Sequence, residues 1–161
     1  MERNLLNLRT KFGLIRHASP ADGERIVQMV GQLAAHHDDT PSLTLDDLSR
    51  DLFCEKPWIS ILVAEMGREL IGYAAMCGLI KLQFGARGMD LHHLFTDPAF
   101  RGLGVGRCLV DACKVEAASL SCRYLTVSSQ PENHEAQAFY SSLGFERKTA
   151  HPQRFSIRLD P

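Results

Sequence analysis

The chain has 161 residues, enough for one domain with a hydrophobic core, and its 45% hydrophobic and 23% charged residues exclude a disordered or fibrous chain. A formal net charge of −1 gives no general attraction to nucleic acid or anionic lipid, so any charged ligand must be met by a local arrangement. The five cysteines form no C-x-x-C pair, no stretch reaches about 18 apolar residues, and "MERNLLNLRTKFG" lacks an apolar signal core, so a reducing cytoplasm is expected, with neither export nor membrane insertion.

Residues 1–11 read as a polar N-terminal extension and 12–160 as a single domain. "FGLIRH" (Phe12 to His17) predicts a short strand. Ser19 as N-cap and Pro20 at the first helical position then open a helix whose Ile26, Met29, Val30 and Leu33 share one face. Thr44 with Asp47 three residues on predicts a second helix ending near Phe53. "WISILVAEM" (58–66), a turn at Gly67 and "LIGYAAMCGLI" (70–80) predict a buried hairpin, and a loop leads to a third strand, "MDLHHLFT" (89–96). A helix over 104–120, a strand over 123–129, and a helix from Asn133 to a C′ glycine at Gly144 follow. Two closing strands, 145–149 and 153–159, end the chain. The order β, α, α, β, β, β, α, β, α, β, β predicts a mixed sheet of the α/β or α+β class rather than a doubly wound one.

The segment "DPAFRGLGVGRCLV" (97–110) places Gly102, Gly104 and Gly106 between Arg101 and Arg107, after a strand and before a helix. Glycines let backbone N–H groups approach anionic oxygens, and a helix N-terminus adds unpaired donors. No Gly-Lys-Ser/Thr follows, so this is not a Walker A loop, and the spacing is not the dinucleotide-binding Gly-x-Gly-x-x-Gly. By itself the pattern could equally turn a strand tightly into a helix. Arg101-x-x-Gly104-x-Gly106 after "LFTDPAF", with "NHEAQAFYSSLGF" following, resembles the GNAT superfamily of acyl-CoA-dependent N-acetyltransferases, over nearly the whole chain.

The resemblance implies a GNAT acyltransferase fold with acetyl-CoA as co-substrate and no metal. The backbone of Leu103, Gly104, Val105, Gly106 and Arg107, beside Gly102, would face the pyrophosphate, and Arg101 and Arg107 would add charge. Leu94, Phe95 and Thr96 would pair with the pantetheine as an added strand. Asn133 would lie near the pantetheine arm and Tyr140 near the sulfur.

Aminolysis of a thioester needs a neutral amine, an oxyanion site and an acid for the thiolate; an alkyl ammonium has a pKa of about 10 and a thiol about 8.5, so proton transfers need positioned groups. Tyr140 is the family's acid. Of the pair His92 and His93, strand alternation predicts that only one faces the acceptor. His92 is taken as the base because, counting back from Arg101, it stands where related amine acetyltransferases tend to place a glutamate or histidine; a water chain is the alternative. The N–H of Phe95 is the expected oxyanion donor. Cys108 and Cys113 are expected to point into packing rather than act as nucleophiles. Asp38, Asp39, Asp46, Asp47 and Glu65 are candidate contacts for a cationic acceptor, with helix capping the competing role for Asp47.

The expected activity is transfer of acetyl, by direct attack, to a primary amine of a small molecule, diamine- or polyamine-like or amino-acid-like. His92 and His93 replace the acidic pair of polyamine acetyltransferases, however. A protein N-terminus or lysine is the alternative acceptor, and a non-catalytic acyl-CoA-binding regulatory domain the alternative of another class. Family members often pair through their last strands, so a homodimer is among the assemblies implied.

Overall fold

In the computed structural model, residues 6–148 and 156–159 are described. They fall into two compact units dividing after Ser128. The first contains β1 (Asn7–Arg9), β2 (Leu14–His17), α1 (Gly23–His36), α2 (Leu45–Asp51), β3 (Ile59–Met66), β4 (Glu69–Lys81), β5 (Ala86–Thr96), α3 (Val105–Ser119) and β6 (Tyr124–Val127). The second contains α4 (His134–Ser142).

The six strands form one sheet in sequence order, antiparallel throughout except for the parallel β5–β6 pair. Alternation sorts the side chains: Ile61, Val63, Tyr73, Ala75 and Phe95 meet Ile26 and Met29 of α1 and Leu48 of α2 in one core cluster. Gly72, next to Tyr73 in β4, faces the side chain of Leu109 on the other side, so α3 covers the opposite face. There Val105, Leu109, Val110, Ala112 and Cys113 are buried, each large aliphatic side chain stabilising the fold by about 1.5–3 kcal/mol.

The helix starts follow their sequence signals. Ser19 precedes a single 3-10 turn, Pro20–Asp22, that feeds α1. Thr44 and Asp47 cap α2 reciprocally. Gly144 holds φ +87° just past α4, where a left-handed residue ends a helix.

Three expectations change. Residues 7–9 of the expected extension form an edge strand on β2. The loop after β4 shortens to one 3-10 turn, Leu82–Phe84, because β4 and β5 pair out to Lys81 and Ala86. Of the two closing strands, residues 145–148 and 156–159 carry no regular structure, and 149–155 lie outside the described residues.

Candidate active site

Segment 97–104 is a tightly shaped corner. Asp97 Oδ1 accepts the N–H of Ala99, fixing a 3-10 turn over Pro98–Phe100, while Asp97 Oδ2 takes the guanidinium of Arg25 at 2.8 Å. Gly102 and Gly104 then adopt φ +80° and +81°, and Gly104 is the N-cap of α3. Left-handed backbone is what glycine supplies without a Cβ penalty. A Cβ at Gly102 would meet no atom within 4 Å among the described residues outside its own chain neighbours, which leaves room over the loop for a ligand. Gly106 lies inside the first turn of α3, with Val105 buried beneath it and Leu103 exposed.

Lys11, in the β1–β2 turn, brings its Nζ to 3.6 Å from where a Cβ on Gly104 would stand. The sequence gives no sign of this cation, because only the pairing of β1 with β2 carries the turn to the loop.

β5 is open where the pantetheine is expected. β6 pairs with it only from Gly88 to Leu91, so among the described residues the edge from His92 to Thr96 has no strand beside it. Asp97 N–H donates to Ile71 O, and the register sets Tyr73 opposite Phe95. The two-residue alternation of an antiparallel ladder therefore turns the N–H of Phe95 onto β4 and those of Leu94 and Thr96 toward the open edge. This corrects the expectation for Phe95 as the oxyanion donor: its amide serves the ladder, and its ring is buried in the core.

The histidine pair also differs from expectation. Ala75 pairs with His93 and Met76 with Leu91, so His92 is the extra residue of a β-bulge. Strict alternation fails there, and both imidazoles lie on the same side, stacked with centroids 4.5 Å apart and planes 10° from parallel. His92 is exposed and His93 partly buried. Tyr73 Oη lies 3.1 Å from His93 Nδ1. Burial pushes the Tyr73 phenol well above its ordinary value. His93 is held below the usual histidine range, first by burial and then by the positive charge that His92 and His37 would carry.

Other candidates have structural roles. Glu65 pairs with Arg16 at 2.7 Å, and Asp47 with Arg50 and the α2 cap, while Asp38, Asp39 and Asp46 are exposed. Cys113 is buried, and desolvation pushes its thiol up to about 12, far from a nucleophilic thiolate. An open cleft of about 350 Å³ lies between the end of β2 and the start of β3, lined by residues such as Phe53 and Ser60 and by none of the donor-loop residues.

In the second unit, Asn133 is the N-cap of α4, its Oδ1 accepting the N–H of Ala136. Tyr140 makes edge contacts with Phe139 and Phe145 at 5.4 and 5.6 Å between centroids.

The acetyltransferase (GNAT) domain profile matches residues 57–147. The chain is 26% identical to the pig (Sus scrofa) thialysine N-epsilon-acetyltransferase, covering 91% of this chain and 92% of that one. It is 30% identical to the peptidyl-lysine N-acetyltransferase YjaB of Escherichia coli, over 82% of this chain and 81% of that one. A crystal structure of an aminoglycoside acetyltransferase from an uncultured soil metagenomic sample shares the fold with a TM-score of 0.74 at 16% identity, covering 89% of this chain and 95% of that one. With the left-handed glycine corner, the open strand edge and the bulge now joined to these matches, the chain belongs to the GNAT acetyltransferase family and is an acyltransferase of the kind that uses acetyl-CoA as co-substrate.

Proposed function

We propose that the protein transfers acetyl from acetyl-CoA directly to a primary amine of a small molecule. The observation that carries this is the alignment, along one strand and loop, of a glycine corner at a helix N-terminus, an unpaired strand edge and an imidazole pair at a bulge. Main-chain N–H groups at Leu103 to Arg107 would take the pyrophosphate, with Arg101 and Lys11 adding charge. The open-edge amides of Leu94 and Thr96 would pair with the pantetheine and the thioester oxygen.

The amine nitrogen attacks the thioester carbon, forming the C–N bond, and His92 accepts the proton it sheds. The tetrahedral intermediate collapses with loss of the C–S bond, and the departing sulfur takes a proton from Tyr140. Asn133 fixes the start of the helix that carries that tyrosine. Direct attack needs no cysteine. We read residues 12–160 as one catalytic domain, working in the cytoplasm and pairing with a second copy.

A thiol-release assay over an amine panel tests this reading. Turnover of at least one small amine is expected, with Tyr140→Phe lowering kcat by about 10²-fold or more. Tight CoA binding with no amine turned over, and no effect of Tyr140→Phe, would instead fit a regulatory acyl-CoA-binding domain. The E. coli relative's name favours peptidyl lysine as a second acceptor class, and lysine peptides belong in the same panel.

A further inference from the structure

We infer that Tyr73 locks His93 as a neutral imidazole with its proton on Nε2, and that this N–H donates to an oxygen carried by the acceptor close to its reacting amine. The inference deepens the acetyltransferase reading and rests on it for the word acceptor; the tautomer itself does not depend on that reading.

The tautomer follows from where the Tyr73 proton can go. Tyr73 is completely buried, 0% exposed, in the cluster between the sheet and α1. Its hydroxyl has one hydrogen-bond partner among the described residues, His93 Nδ1 at 3.1 Å. A buried hydroxyl that accepted from Nδ1–H would leave its own hydrogen unpaired, at a cost comparable to a lost hydrogen bond. The hydroxyl therefore donates, Nδ1 accepts, and the ring proton of the neutral imidazole must sit on Nε2. The other titratable groups acting on His93 are His92, stacked on it, and His37 from the end of α1. Both are imidazoles, so neither supplies the negative charge that would draw a second proton onto the ring.

Nε2 lies on the side of the ring away from Tyr73 and has no protein partner among the described residues. The ring is only partly buried, and the bulge sets it beside His92 at the point where β5 parts from β6. A fixed N–H donor there wants an acceptor atom. It offers nothing to a second ammonium group, and it suits a hydroxyl, carbonyl or carboxylate oxygen on the amine substrate. The bulged pair thus divides its labour, His92 taking a proton and His93 giving a hydrogen bond.

Long-range ¹H–¹⁵N NMR of the full chain reads the tautomer directly. His93 is expected to show a protonated Nε2 and a bare Nδ1, a pattern lost in Tyr73→Phe; a protonated Nδ1 in the unmodified protein overturns the inference whether or not any amine is acetylated. The acceptor half is read with 2-aminoethanol and n-propylamine, which differ in that a hydroxyl stands in place of a methyl of similar size. His93→Leu should lower kcat/KM for the amino alcohol by about 3- to 10-fold more than for propylamine, and His93→Gln, which keeps an N–H, should restore most of it. Equal losses on both amines, or none, overturn this half. Titrating each amine while following the His93 Nε2 signal makes the same comparison without turnover: a shift with the amino alcohol alone supports the inference, and equal shifts or none overturn it. Failure of the acetyltransferase reading would show separately, as absence of CoA release.

Discussion

The imidazoles of His92 and His93 stack 4.5 Å apart because one extra residue in β5 faces the Ala75–Met76 step of β4. The bulge leaves His92 exposed at the strand edge, where an incoming amine can reach it. His92→Ala should lower kcat/KM near neutral pH by about 10²-fold. The deficit should shrink as pH rises toward the amine's pKa of about 10, where free amine no longer needs a base. A pH–rate profile of the variant parallel to that of the unmodified protein would remove His92 from the mechanism and leave proton removal to water.

Gly104 and Gly67 are both left-handed, at φ +81° and +67°, but only Gly104 stands at the start of α3. Alanine at either position should cost about 1–2 kcal/mol of backbone strain. Gly104→Ala should in addition raise the KM for acetyl-CoA about 10-fold, since its methyl would point to the Lys11 ammonium and crowd the approach of the phosphates. Gly67→Ala, in the β3–β4 turn with no atom of the described residues beyond its chain neighbours within 4 Å of the new methyl, is the control. Equal KM values in the two variants would remove the glycine corner from donor binding.

Asp22 is 9% exposed and accepts from both Nη atoms of Arg16 and from the N–H and Oγ of Ser19. Burial alone would raise its carboxyl, but the bonds from Arg16 and Ser19 outweigh it and hold the group below the usual carboxylate range. With the folded value depressed, the unfolded chain takes up the proton first as pH falls below about 4. The stabilisation is therefore complete above that pH and is lost as pH drops through the lower folded value. Asp22→Asn should cost about 1–3 kcal/mol in urea unfolding near neutral pH. The gap to the unmodified protein should narrow near about pH 3; a gap constant with pH would assign the effect to packing alone.

Local signals carried much of this architecture. Ser19–Pro20, Thr44–Asp47 and Gly144 mark helix ends by their own chemistry, and the glycine corner announces α3. The bulge has no such signal. It depends on which β4 residues lie opposite Leu91 and His93, a pairing between segments that are distant in sequence, and it reverses the alternation argument for the histidines. The same register assigns the Phe95 amide to β4 and gives Leu94 and Thr96 the open edge. Tyr73 reads in sequence only as one more apolar residue in a buried strand; its bond to His93 exists because β4 and β5 are neighbours. The short strand Asn7–Arg9, polar and at the sheet's edge, has no hydrophobic pattern to read and is held by β2.

His17, on β2, ties the residue before β1 to α3. Its Nδ1 accepts the N–H of Leu6 at 3.0 Å, so Nε2 carries the proton and donates to Glu116 Oε1 on α3, also at 3.0 Å. The two side chains are 12% and 6% exposed, so the carboxylate has little water to replace that bond. His17→Leu strands the carboxylate and should destabilise the fold by about 2–4 kcal/mol, within the range for a charged group losing its buried partner. Replacing both partners with apolar groups removes the desolvation problem, so His17→Leu with Glu116→Leu should recover a large part of that loss even though the Leu6 amide stays unpaired. The measurement is a double-mutant cycle in urea. A double variant as unstable as the sum of the two single variants would mean that His17 and Glu116 contribute independently and that the bond between them does not hold β2 to α3.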